Sequence, residues 1–486
     1  MREWPRIRCW TGRGPARDRR TVILFLASRP VVPTVRRTHE GSAPRAGDGA
    51  PRADGGAPAP RAANDAPVPT PAARTTREHK RSPRPPCRPL LAPYRRLFAA
   101  PGALAFTLAA LAGRVAGAML GVSMVVMIAT VRDSYALAGA VSATGLAVTA
   151  MTGPLLGRLV DRHGQARVAV PAVAVFALGA TATLLCIHYG APAWALFVCA
   201  AGSSGVPSLG SMTRARWAAV HRDDAAARHT ANSFEQVVDE VCFMAGPALA
   251  MVLCTTVFPE AGLATAAVLL VVGTLLFAAQ RRTEPPPQPR TDTAGGSPLR
   301  SPGLRIVVIT FLATGAVFGS MEVATVAAVE SYGQGSASSA VLALQAAGSC
   351  AAGLVFGALP VRGSAVTRFL AGVAAMAVAI LPLLTATGPA TLAPLLFVAG
   401  MATAPTMISG MTLIHRLTPS ARLNEGMTTA YTGLLIGISA GAAAAGWTVD
   451  HLGPTAGYTA PATAAALALL AAATGSGRLR RSLVAS

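Results

Sequence analysis

The sequence predicts an all-α integral membrane protein of two six-helix bundles, and three observations predict it. Of the 486 residues 52% are apolar and only 13% are charged, with a mean hydropathy of +0.48, whereas a soluble domain carries about 25% charged residues. From residue 103 onward the chain divides into twelve apolar stretches, each long enough to cross a hydrocarbon core of ~30 Å as a helix. The arginines then alternate with the loops: of the 21 after residue 100, 19 fall on one side of this layout. Positive side chains translocate poorly and remain in cytoplasmic loops, so both termini are expected in the cytoplasm, with the chain crossing the inner (cytoplasmic) membrane of a cell.

Residues 1–95 read as a disordered basic tail. The first 100 residues hold 21 Lys and Arg against 7 Asp and Glu, and Arg, Pro, Ala and Gly dominate. Such a segment cannot bury enough apolar surface to offset the entropy of ordering it. The run Thr21–Ser28 is too short for a span, and no small-residue cleavage site follows it, so no signal peptide is expected. Charge alone would also suit anionic lipid or nucleic acid, but a disordered leader is the simpler reading and no nucleic-acid partner is expected. One lysine beside 41 arginines points to a high-GC bacterial genome. The seven cysteines have no metal-ligand spacing. His163, His188, His221, His229, His415 and His451 are unclustered near the interfaces, so neither a metal nor another cofactor is expected.

The expected spans are 103–129, 134–157, 167–187, 191–212, 234–257 and 260–279, then 304–328, 337–358, 367–386, 388–412, 427–448 and 455–475. Residues 96–280 form an N-terminal bundle, 281–303 a solvated Pro- and Gly-rich linker, and 304–486 a C-terminal bundle. Cytoplasmic loops take Arg158, Arg162 and Arg167, then Arg214, Arg216, Arg222 and Arg228, with the remainder in the linker and later loops. Only Arg132 falls outside, and Arg114 lies within span one. The stretch Thr213–Ala227 is either a short helix on the cytoplasmic membrane face or a solvated loop. The two halves echo each other: Gly157-Arg158-Leu159-Val160-Asp161-Arg162 after span two shares Gly, Leu and Arg in register with Gly357-Ala358-Leu359-Pro360-Val361-Arg362 after span eight. Repeated halves suit a protein that rocks one against the other.

The loop Gly157–Arg167 resembles the signature between spans two and three of the major facilitator superfamily, roughly Gly-x-Leu-x-Asp-Arg-x-Gly-Arg-Arg. The resemblance covers about residues 95–482 and implies transport by alternating access. In this loop Gly157 and Gly164 permit a tight turn, while Arg158 and Arg162 can hold anionic headgroups or helix C-termini. Asp161 can face a helix N-terminus, and the resemblance implies that it latches the start of span eleven, around Asn424–Thr429. Two departures stand out. Gln165 and Ala166 replace two basic residues, and span four lacks the arginine that many proton-coupled members carry midway along it. In span five, Gly246-Pro247-Ala248-Leu249-Ala250 resembles a degraded Gly-Pro-x-x-Gly-Gly antiporter motif and inclines the reading towards efflux; a plain proline kink is the alternative.

Ionisable groups inside a membrane are costly and are functional candidates by default. Glu235 and Asp239 are four apart on span five and share a face, with Glu240 beside them. Arg114 on span one is expected to pair with Asp239 or Glu240, in a role that is either structural or concerned with protons or substrate. Glu322 on span seven is expected as a lone carboxylate that either titrates or faces an outer vestibule. Small-residue stripes at Gly139, Ala143 and Ala147 and at Gly433, Gly437 and Gly441 read either as sliding surfaces between halves or as tight packing.

The expected function is secondary active transport of a small molecule by a monomer in the lipid bilayer: proton-coupled efflux of a drug or metabolite, as an antiporter. No GxxxxGK[ST], HExxH or GxSxG motif occurs, so an enzyme is not expected. The alternatives are a transport-dead sensor or scaffold with the same fold and, after it, a membrane-embedded enzyme.

Overall fold

A computed structural model describes residues 91–287, 298–334, 337–360 and 363–484, and every regular element among them is helical. In chain order these are α1 (Ala92–Leu97), α2 (Ala103–Arg132), α3 (Tyr135–His163), α4 (Gln165–His188), α5 (Ala193–Gly202), α6 (Leu209–Val220), α7 (Ala225–Thr256) and α8 (Ala261–Ala279). Then follow α9 (Pro302–Ser331), α10 (Ser338–Ala358), α11 (Ala365–Ile380), α12 (Pro389–Leu417), α13 (Leu423–Leu452) and α14 (Thr459–Val484). Eleven of the described helices are long and apolar enough to cross a membrane. The disordered-tail expectation falls on residues outside the described ones, except at its end, where Ala92 onward is the short helix α1.

Span four departs from expectation. It is split into α5 and α6 by the unwound residues Ser203–Ser208. The sequence there, Gly202-Ser203-Ser204-Gly205-Val206-Pro207-Ser208, explains the break. Glycine and serine hold a helix poorly, and Pro207 has no N–H to give. Ser208 then starts α6 afresh, its hydroxyl accepting from the Ser211 amide. Helix α6 runs eight residues past the expected end of the span. This overturns the surface reading for residues 213–217, where Arg214, Arg216 and Trp217 are 3%, 0% and 1% exposed, whereas residues 222–226 are exposed as a solvated loop would be. Helix α7 begins at Ala225, nine residues before its expected start, because Asp224 caps it through Ala226 and Ala227.

Helices α2–α8 form the first bundle. In it α2 packs on α7 and α8, and α4 on α5 and α8. Helices α9–α14 form the second, where α13 and α14 pack on α9, and α10 and α11 on α12. Phe311, Phe369, Val373, Met376 and Leu392 fill its core, while Leu178, Val198, Val268 and Val378 stand exposed on the outside, as lipid-facing positions require. The bundles meet along α3 with α13 and α7 with α10, which are equivalent crossings under the internal repeat. The Gly433–Gly441 stripe does not slide between bundles. Gly437 and Gly441 sit against the backbone of Leu312 and Ala316 on α9, within the same bundle. Gly139, Ala143 and Ala147 are exposed.

The linker is less solvated at its start than expected. Thr283 is buried, and Glu284 accepts from the Ala166 amide at the start of α4, Oε1 to N 3.0 Å.

Candidate functional site

A cavity of about 500 Å³ lies between the bundles, walled by α2, the α5–α6 break, α7 and α13. Its polar wall is one cluster. Arg114 on α2 donates to Glu235 (Nη1 to Oε2, 2.5 Å) and to Asp239 on α7. Arg214 on α6 donates to the other oxygen of Asp239, Nη2 to Oδ2 2.6 Å. The remaining oxygen of Glu235 accepts from Trp217 Nε1 at 2.8 Å. Two guanidinium groups and two carboxylates therefore neutralise each other, with Glu235 fully buried. The helical spacing of Glu235 and Asp239 brings both to the same arginine, as a one-turn offset demands.

Glu240 belongs elsewhere, correcting its place beside Arg114. One residue further round α7, it accepts from Gln236 Nε2 (3.1 Å) and from Ser349 Oγ on α10 (2.8 Å), which in turn accepts from Thr403 Oγ1 (2.8 Å). Glu322 on α9 is exposed rather than buried and stands apart from this cluster and from the cavity wall. Gly246 lets α7 approach α2: a Cβ there would lie 2.6 Å from Ala118 Cβ and 3.1 Å from the Val115 carbonyl. Pro247 lies inside the helix. Gly246 thus seats α7 close against α2, the helix that carries Arg114.

Two arginines expected in a cytoplasmic loop are structural and ionic parts of the core. Arg216 closes the C-terminus of α8, donating to the carbonyls of Phe277 (3.0 Å) and Gln280 (2.9 Å) and to Thr283 Oγ1 (2.9 Å). Its Nε donates to Gln165 Oε1 at 2.7 Å. The family signature has a basic residue at position 165, which would repel Arg216; Gln165 instead accepts from it and donates to the Met212 carbonyl, 2.9 Å. Residues 191–212 hold no arginine, and Arg214, after the break, is the first basic residue of this span to line the cavity.

The signature segment is helical except at one residue. Helix α3 continues through Gly157 to His163, and Gly164, at φ 91°, makes the turn into α4. Gly157 makes no turn. It permits close contact, since a Cβ there would lie 2.9 Å from the Asn424 carbonyl oxygen of α13. This crossing carries Asp161 to the start of α13. Asp161 accepts from the amides of Asn424 (3.1 Å) and Glu425 (2.9 Å) and from Asn424 Nδ2 (2.8 Å). Helix α13 has no side-chain cap of its own at Arg422, so the first bundle supplies one. Arg158 and Arg162 lie partly exposed within electrostatic reach of Glu425.

The equivalent crossing, α10 on α7, carries a second fastening that the sequence reading missed. Three donors, one on α1 and two on α7, meet the last carbonyls of α10: Tyr94 Oη to Leu354 (2.8 Å), His229 Nε2 to Phe356 (2.8 Å) and Thr230 Oγ1 to Gly357 (3.0 Å). Gly357 packs on Ser233 and Tyr94, as Gly157 packs on α13. Arg362, the repeat partner of Arg162, lies outside the described residues.

These features define a multi-pass helical membrane protein with a charged cavity between two repeated bundles. A sequence model described as Major Facilitator Superfamily matches residues 103–393, and the chain belongs to that family. No curated protein matches it. Among solved structures it is similar to the human organic anion transporter MFSD10 (TETRAN), with TM-score 0.61 and 14% identity over 79% of this chain and 100% of that one. It is also similar to a bacterial homologue of the iron transporter ferroportin in an outward-facing state, with TM-score 0.60 and 14% identity over 78% and 98%. The proton:xylose symporter XylE follows, with TM-score 0.58 and 15% identity over 76% and 94%. Family and fold together indicate membrane transport.

Proposed function

We propose that this protein is a secondary active transporter that binds a small molecule in the cavity between its bundles and couples its passage to protons. Residues 96–280 and 304–486 are the two moving halves, joined by 281–303, and α5 with α6 counts as one crossing of twelve. On the arginine rule both termini lie in the cytoplasm, and the fastenings of α13 and α10 then close the cytoplasmic end. The chain works as a monomer in the cell membrane.

The observation that carries this reading is the Arg114–Glu235–Asp239–Arg214 cluster on the cavity wall. Buried ion pairs are a costly way to hold helices together. A carboxylate shared by two arginines can exchange an ionic partner for a proton, and a broken helix beside it is the usual setting of a transport site. The expected efflux direction has only the Gly246-Pro247 pair behind it, and packing against α2 accounts for Gly246. Purified protein in proteoliposomes, loaded with a compound panel under an imposed pH gradient, tests the proposal. Gradient-driven flux of at least one compound, lost in Asp239→Asn, supports it, and the sign of the flux reads the direction. Flux in Asp239→Asn as steep in pH as in the wild type would remove the proton role, and absence of gradient-driven flux in the wild type would remove transport.

A further inference from the structure

Resting on this reading of the cavity, we propose that its substrate is an organic anion: an apolar body with one carboxylate or similar acid group, which binds Arg214 when Asp239 takes up a proton.

The charge count comes first. With both carboxylates ionised the cluster is neutral. Glu235 is already held by Arg114 and Trp217 and is sealed from the cavity. Asp239, in contrast, lines the cavity and is the only carboxylate among the described residues that pairs with Arg214. A proton on Asp239 leaves Arg114 its Glu235 partner and leaves Arg214 a buried cation without a counter-charge, which is strongly unfavourable. A substrate anion restores the balance. The other groups near Asp239 do not. Glu240 is turned to Ser349, Cys242 and Tyr431 are neutral, and His415 beside Arg214 adds no negative charge.

Unused donors point the same way. Arg214 is 3% exposed, and its Nε has no hydrogen-bond partner among the described residues. Ser142, also on the cavity wall, has an unpartnered buried hydroxyl. The twelve-residue α6 begins at the cavity through Ser208 and Leu209, presenting the positive end of its dipole. A guanidinium group with spare N–H donors near a helix N-terminus suits a carboxylate. With Asp239 protonated the cluster carries a net positive charge and repels a cation. Leu120, Met124, Val141, Phe176 and Leu263 supply the apolar remainder of the wall, so a wholly polar ion fits poorly.

By linkage the anion and the proton assist each other's binding, so they travel in the same step. The test uses the full chain in nanodiscs and a matched panel: benzoate, 1-naphthoate and 4-biphenylcarboxylate against benzylammonium, 1-naphthylmethylammonium and 4-biphenylmethylammonium. Thermal stabilisation reads binding. Carboxylates are expected to bind roughly tenfold or more tightly than the ammonium ions, to tighten as pH falls, and to be lost in Arg214→Gln. In Asp239→Asn, where the neutral amide imitates the protonated acid, carboxylate binding should persist and become insensitive to pH; this arm also serves if Arg214→Gln does not fold. Ammonium ions binding as well as carboxylates, no carboxylate binding at all, or carboxylate binding unaltered by pH and by both variants would overturn the proposal. Anion binding without accumulation in proteoliposomes would refute transport and leave the anion site standing. Gradient-driven flux of cations alone would do the reverse.

Discussion

Where α3 crosses α13, a carboxylate of the first bundle caps a helix N-terminus of the second; where α10 crosses α7, three uncharged donors from α1 and α7 cap a helix C-terminus of the second. The internal repeat makes the two crossings equivalent, and at each a glycine, Gly157 or Gly357, packs tightly against the facing helix. Shape is therefore repeated while charge is not. Position 361, the repeat partner of Asp161, is a valine, whose side chain has no acceptor. The donors arrive instead from α1 and α7. Their polarity follows from helix electrostatics, since the N-terminus of α13 favours an anion and the C-terminus of α10 favours N–H and O–H groups. The comparison teaches that fastenings related by the repeat need not carry equal weight, because a charged acceptor binds amides more strongly than neutral donors bind carbonyls.

Asp161→Ala is expected to have the largest effect on this comparison. It removes three hydrogen bonds to a carboxylate and leaves the Asn424 and Glu425 amides unpaired, a loss of about 3 kcal/mol. Hydrogen exchange at those two amides should accelerate roughly a hundredfold, read on a peptide spanning the start of α13. Unchanged protection there would mean that the carboxylate does not hold the crossing.

Thr230→Val should be milder. The substitution preserves shape and deletes a neutral hydroxyl whose proton is shared between the Gly357 carbonyl, 3.0 Å, and the Ala226 carbonyl of its own helix, 3.2 Å, worth about 1 kcal/mol. Exchange in the last turn of α10 should quicken by about fivefold, with no change at Asn424 and Glu425 if the crossings act independently. Equal disturbance at both sites would show that the bundles part as a unit and that the distinction between crossings is one of geometry alone.

The legibility of these features in the sequence varied for physical reasons. The membrane-spanning class and the two bundles follow from hydropathy and loop arginines, which any chain must obey to sit in a bilayer. The break at Ser203–Ser208 was written in Gly205 and Pro207, but an averaged apolar stretch hides a few polar residues. Arg214 and Arg216 were indistinguishable from ordinary loop arginines, because a guanidinium group closing a helix and one facing water look alike until the partner helix is placed. Gln165 was visible as a departure from the family signature, and its reason emerges only with Arg216 beside it. The one-turn spacing of Glu235 and Asp239 was sufficient to put both on one face, whereas Glu240 needed α10 in position to show its separate partner.

Tyr94→Phe should have the smallest effect and offers the finest discrimination. Burial pushes the Tyr94 phenol up to about 12, so its hydroxyl remains protonated and keeps donating to Leu354 throughout the range in which the protein is handled. The sign follows from that displacement. A raised phenol contributes its bond fully at low and neutral pH and loses it only as pH climbs towards the shifted value. Loss of one neutral hydrogen bond whose acceptor stays inside a helix is worth about 0.5–1 kcal/mol, so exchange at the end of α10 should rise by no more than about fivefold. After correction for intrinsic exchange, the difference between Tyr94→Phe and the wild type should stay constant from acid to neutral pH. A difference as large as that for Asp161→Ala would place the main fastening of this end on α10, and the contrast between charged and uncharged crossings would then be reversed.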